Sequence, residues 1–152
     1  MRKTVFIKIS GDMISHTSVI YWLKKLTKDY FVVICAGGGS QISQEFKKRG
    51  WTIKFGPLGR EIKIFKQKQV ARDILERNQA LIQDRLAKEG ISANIIIPVL
   101  DMGTVLCHVN GDIFTKVAYL GFDKLFIVTL KEREKVKADI FRDFPKIKVV
   151  SF

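Results

Sequence analysis

The chain has 152 residues, 47% hydrophobic and 11% aromatic, with 27 Lys and Arg against 15 Asp and Glu and a formal net charge of +12. That apolar content supports one domain, residues 1 to 152, with a sizeable core, and excludes a disordered chain. No apolar run reaches the roughly 18 to 20 residues of a membrane span, and Lys8 interrupts the apolar start where a signal peptide would need an unbroken core, so a cytoplasmic protein is expected.

Two cysteines, Cys35 and Cys107, are too few for a disulfide framework and too far apart for a paired metal site. His16 and His108 fit no zinc pattern, so no metal is expected. The positive charge suits a polyanionic partner: a phosphate-bearing ligand, nucleic acid or an acidic protein. Much of it lies between Lys47 and Lys68, where eight cations face only Glu61. A lysine-rich surface that serves solubility explains the excess equally well.

In chain order, "TVFIKI" (Thr4–Ile9) reads as a buried strand ending at Ser10 and Gly11. Ser15 is a possible cap for a helix carrying Val19, Ile20, Leu23 and Leu26 at helical spacing. "YFVVIC" (Tyr30–Cys35) is a second buried strand, followed by Gly37, Gly38 and Gly39, and Ser40 caps a helix to about Arg49 that Gly50 ends. "WTIKF" is a weaker strand closed by a "GPLG" turn.

The longest helix runs from about Gln67 to Glu89, with a stripe of Val70, Ala71, Ile74, Leu75, Leu81, Ile82 and Leu86 that Asn78 interrupts. "NIIIPVL" is a third strand, ended or bent at Pro98. A helix from Gly111 to Gly121 precedes the strand "KLFIVT". A charged helix using Val136, Ile140 and Phe144 then leads to the last strand, "KIKVVSF". Apolar strands alternating with amphipathic helices predict a three-layer α/β/α sandwich with a mainly parallel central sheet.

In such a sheet, ligands sit outside the carboxyl ends of the strands, often at a helix N-terminus. Three segments fall there: Ser10 to Asp12, Gly37 to Ser40, and the turn around Val109 to Asp112. Lys8, on an otherwise apolar strand, reads as a site cation or as an edge lysine that snorkels to water. The three glycines read as bare backbone donors for an anion or as a conformational turn, and they match neither a P-loop nor a dinucleotide fingerprint. Asn110 and Asp112 read as substrate ligand and lysine-orienting carboxylate, or as an ordinary turn and helix cap. His108 fits a satisfied, partly buried histidine better than an acid or base.

"VFIKISGD", "VVICAGGGSQI" and "VNGDIFTKVAYLGFDKLFIVT", in this order, resemble the amino acid kinase family, which includes acetylglutamate, carbamate, aspartate and uridylate kinases. The resemblance covers roughly residues 3 to 129 and implies a carbamate kinase-like fold. It implies that Lys8 neutralises a transferred phosphoryl group and that Asp112 positions lysines. Gly11, Gly37, Gly38, Gly39 and Ser40 would surround the phosphate, with Asn110 in the substrate turn and Arg60 clamping an acidic substrate. ATP with magnesium would be the donor, and a small carboxylate, phosphate or carbamate-type metabolite the acceptor.

Family members continue past the strand that "KLFIVT" matches into a nucleotide-binding half with a further lysine, which this sequence shortens or lacks. Three readings stay open: a compact kinase, an inactive regulatory or storage protein binding an anion or nucleotide, and a chain completed by a partner. Lys131, Lys135 and Lys137 are candidates to replace the absent lysine. A homodimer is expected only through the resemblance, and nucleic-acid binding through Lys47 to Lys68 is disfavoured because Trp51, Phe55 and Phe65 suit core positions equally.

Overall fold

The computed structural model describes residues 2–56, 59–102, 105–108 and 110–152, with the side chains of 100–108 left aside. The chain begins with β1 (Thr4–Ile9), α1 (Thr17–Asp29), β2 (Phe31–Ala36) and α2 (Gly39–Lys48). Two short strands, β3 (Lys54–Gly56) and β4 (Gly59–Glu61), form a hairpin ahead of the long α3 (Phe65–Lys88). Then come β5 (Asn94–Ile96), β6 (Val99–Met102), β7 (Val105–His108) and α4 (Gly111–Val117), which tightens into a 3₁₀ turn at Ala118–Leu120. The chain continues through β8 (Lys124–Thr129), a 3₁₀ turn at Lys131–Arg133, α5 (Glu134–Ile140) and β9 (Ile147–Ser151).

Five strands form the central sheet in the order β5-β2-β1-β8-β9, and all four pairings are parallel. Because side chains alternate along a strand, β1 feeds both faces. Val5, Ile7 and Ile9 join Val19, Ile20 and Leu23 of α1 and Ile82 and Leu86 of α3 on one face. Phe6 joins Leu125, Ile127 and Phe141 on the other, with Phe114 and Ala118 packed against them. A third cluster joins Ile42 and Phe46 of α2 to Ala71 and Leu75 of α3. Helices therefore cover both faces of a mainly parallel sheet, in agreement with the coarse expectation.

Trp22 of α1 meets the ring of Phe126 edge-on at 5.3 Å and that of Phe152 at 6.0 Å, so the last residue is tied to the first helix. Gly50 and Gly90, both at φ 67°, close α2 and α3 in the left-handed conformation that their places after periodic segments predict. No described helix is long and apolar enough to cross a membrane.

Several local expectations change. His16, not Ser15, stands at the cap of α1, and its side chain makes no capping bond. Gly38 caps α2, which puts Ser40 inside the first turn. Of the three residues expected on the core face of the last helix, Phe144 packs against the core but Val136 and Ile140 are exposed, and the buried residue is Phe141, one step beyond α5. Period counting misplaced Val136 and Ile140 because only seven residues are helical there, too short a run to fix a phase. Leu81 of the long stripe is also exposed, whereas Ala71, Leu75, Ile82 and Leu86 are buried.

Pro98 ends β5 after three residues, as expected, but the chain then forms the antiparallel β6–β7 pair, which the sequence reading missed. The "GPLG" turn contains residues 57 and 58, and the third segment begins at residue 109; all three lie outside the described residues. The side chains of Cys107 and His108 also lie outside what is described.

Candidate functional site

Lys8 sits in the penultimate position of β1, opposite Cys35 of β2 and Ile127 of β8, in the middle strand of the sheet and not at its edge. Alternation sends its side chain to the Phe6 face, where α4 begins. Its Nζ lies 3.5 Å from Asp112 Oδ1, both side chains being close to nine-tenths buried, and donates to Ser10 Oγ at 3.3 Å. Lys137 of α5 donates to the other oxygen, Asp112 Oδ2. One buried carboxylate thus neutralises two lysines that are 129 residues apart in sequence.

Asp112 is held in place by its own helix end. Asn110 caps α4 by accepting a hydrogen bond from the Asp112 backbone N–H through its side-chain oxygen, at 2.8 Å. The carboxylate lies in the first turn of the helix, where the free N–H groups favour negative charge. The cap reading of "NGD" therefore holds for Asn110, and the Asp112 carboxylate that it places pairs with Lys8 and Lys137.

The electrostatics follow from burial and pairing. Burial acts to raise the Asp112 carboxyl, but the charge of Lys8 and the hydrogen bond and charge of Lys137 overcome it and hold the group below its usual value. Burial pulls the Lys8 ammonium below the ordinary lysine value, against the attraction of Asp112. Beside it, burial pushes the Cys35 thiol up to about 12, which makes it an inert core thiol and no nucleophile.

A carboxyl whose folded value is depressed contributes stability that is present above its unfolded value, near 3.8, and lost as pH falls through the folded value. Urea unfolding between neutral pH and about pH 2 is expected to show a shallower acid loss for Asp112→Asn than for the wild type. Equal slopes would assign the acid sensitivity to other carboxylates.

The two glycine segments touch. A Cβ on Gly11 would lie 2.6 Å from the carbonyl oxygen of Gly37, so the turns after β1 and β2 approach more closely than any side chain allows. Gly11→Ala is expected to cost about 1 to 3 kcal/mol through forced backbone movement. A thermal unfolding midpoint equal to wild type would show that the two turns separate freely. Ser40, displaced from its expected cap, donates its hydroxyl to Asp12 Oδ2 at 2.8 Å and ties the same two turns together.

Arg60 arrives on the β3–β4 hairpin. It donates to the Gly39 carbonyl at 2.9 Å and Ser43 Oγ at 2.8 Å, while its Nη1 is buried without a hydrogen-bond partner among the described residues. The hairpin leans on the α4 cap: Gly59, at φ 100°, lies so near Asn110 that a Cβ there would sit 2.2 Å from the amide nitrogen. Only glycine satisfies both that backbone angle and that contact.

All nine residues expected in the site, Lys8, Gly11, Gly37, Gly38, Gly39, Ser40, Arg60, Asn110 and Asp112, line one cavity of about 390 Å³ at the carboxyl ends of β1 and β2. Arg133 and Lys137, from the segment after β8, line it too. Lys137 was a candidate on its charge alone; Arg133 was missed, since an arginine in a run of alternating charges carries no sequence signal.

No family model matches the chain, and no curated protein matches it. Among solved structures, the chain is similar to smu.665 from Streptococcus mutans UA159, with 16% identity, a TM-score of 0.64, and coverage of 85% of this chain and 73% of that one. It is also similar to N-acetylglutamate synthase from Neisseria gonorrhoeae complexed with coenzyme A and N-acetyl-glutamate, with 14% identity and a TM-score of 0.56. That match covers 86% of this chain but 42% of the synthase. At such identities the likeness concerns the fold alone: mixed α/β with a mainly parallel five-stranded sheet.

These findings correct the functional expectation. The amino acid kinase family, ATP-dependent phosphoryl transfer and ATP with magnesium do not stand: no family model supports them, and the neighbour with named ligands holds coenzyme A and N-acetyl-glutamate. The inactive nucleotide-binding alternative gains no support either. The physical reason is that a lysine, a glycine turn and an Asn-x-Asp cap suit anions in general and no one reaction. Phosphates and carboxylates satisfy the same donors, so the motif does not name the group or the reaction.

Proposed function

We propose that this chain binds a small carboxylate metabolite of the N-acyl amino acid class in the cavity above β1 and β2. The observation that carries the reading is Lys8, a nearly buried ammonium on the central strand that opens onto the cavity beside the glycine turns. A cation is costly to bury unless it meets an anion, and Asp112 is already divided between two lysines, so a ligand carboxylate completes the neutralisation.

In this reading the carboxylate lies on the backbone N–H groups at the start of α2, with Lys8 on one side and Arg60 on the other. Asp112 orients the lysines and does not touch the ligand. The ligand class comes from the synthase neighbour, whose N-acetyl-glutamate is small enough for a cavity of about 390 Å³. Because that neighbour also holds coenzyme A, a coenzyme A thioester is the first group donor to assay for turnover. Calorimetric titration with N-acetyl-glutamate is expected to show saturable, salt-weakened binding to one site. Absence of heat and of any thermal stabilisation at millimolar ligand would overturn the reading.

A further inference from the structure

We propose that Arg133 and Lys137 form a second acid subsite in the cavity, so that its ligand carries two acidic groups; this rests on the proposed carboxylate site. Among the described residues, four cationic side chains line the cavity, Lys8, Arg60, Arg133 and Lys137, against two carboxylates, Asp12 and Asp112. Two positive charges are left over, and a ligand with one carboxylate neutralises only half of that excess.

The cations also divide in space. Arg60 is fastened to Gly39 and Ser43 of α2, the helix that follows β2. Arg133 and Lys137 follow β8. In the sheet, β2 and β8 flank β1 on opposite sides, so the two groups approach the end of β1 from opposite directions. Lys137 is committed to Asp112, whereas the Arg133 guanidinium has no ion-pair or hydrogen-bond partner among the described residues. A free, forked donor at a cavity wall beside a fixed ammonium suits a planar carboxylate. The ligand is therefore an extended dianion, its first acid on the Arg60 side and its second on the Arg133 side.

The test compares N-acetyl-glutamate with N-acetyl-glutamine, which has the same shape but only one carboxylate, by calorimetry on wild type and Arg133→Ala. The wild type is expected to prefer the dianion by about tenfold or more, the range of one charged contact at a partly wet site. Arg133→Ala is expected to bring that ratio close to one. Arg133 is exposed, so its replacement leaves the fold intact. A wild-type ratio near one, or a preference unchanged in Arg133→Ala, overturns the second subsite while leaving the carboxylate site standing. If the wild type binds neither compound, the carboxylate site itself falls and this inference with it.

Discussion

Replacing Lys8 with methionine is expected to weaken N-acetyl-glutamate binding on the order of 100-fold, about 3 kcal/mol, while the protein remains folded. The size follows from losing a charge-assisted contact in a site shielded from water, at the upper end of the usual 1.5 to 3 kcal/mol. Methionine fills similar space, and Asp112 keeps Lys137 as its counter-ion, so no charge is stranded. Stability and binding therefore separate in this variant. Lys8→Arg retains charge but lengthens the side chain on a strand where α4 already presses close, a Cβ on Gly111 lying 3.1 Å from Lys8 Cε. Partial binding is expected from it. Wild-type affinity in Lys8→Met, measured by the same titration, would remove Lys8 from the site.

The largest effect on stability is expected at Asp112. Its carboxylate lies between Lys8 and Lys137, whose side chains are 11% and 17% exposed, and no other acid forms an ion pair with either among the described residues. Asp112→Ala strands two ammoniums facing each other, and breaking a buried pair from one side costs about 3 to 5 kcal/mol. Urea unfolding should show that loss as a shifted midpoint with little change in slope. The double variant Lys8→Met/Asp112→Ala removes the more buried of the two stranded charges and should regain about half of the loss, since the residues are coupled. A loss below about 1 kcal/mol for Asp112→Ala alone would mean that water already screens the lysines.

Both expectations show what the sequence made legible. β1, β8 and the ends of α2 and α3 were readable because buried parallel strands give mostly apolar runs and terminal glycines mark helix ends. The candidate residues that line the cavity stood out at strand ends: Lys8 interrupts an apolar strand, and Asp112 opens a helix. The faces of α5 were not legible, because a helix of seven residues is too short to fix a phase, and the buried side chain, Phe141, lies just beyond its end. Lys137 and Arg133 entered the cavity through that packing, so their place depended on tertiary structure. The sequence also could not choose between phosphate and carboxylate for the proposed site, because backbone donors and lysines treat the two alike.

The strand order has a consequence for how the protein acquires its site. Val5 pairs with Lys124 of β8, so the central strand finds one neighbour early in the chain and the other only after most of the chain has been traversed. Lys8 therefore has no Asp112 or Lys137 beside it until those long-range contacts close, and such closures are slow. A half-assembled chain exposes an uncompensated lysine on an apolar strand, which disfavours premature burial of that face. In the proposed reading, ligand capture therefore awaits completion of the sheet. A ligand added during refolding is expected to stabilise the finished state without hastening its formation.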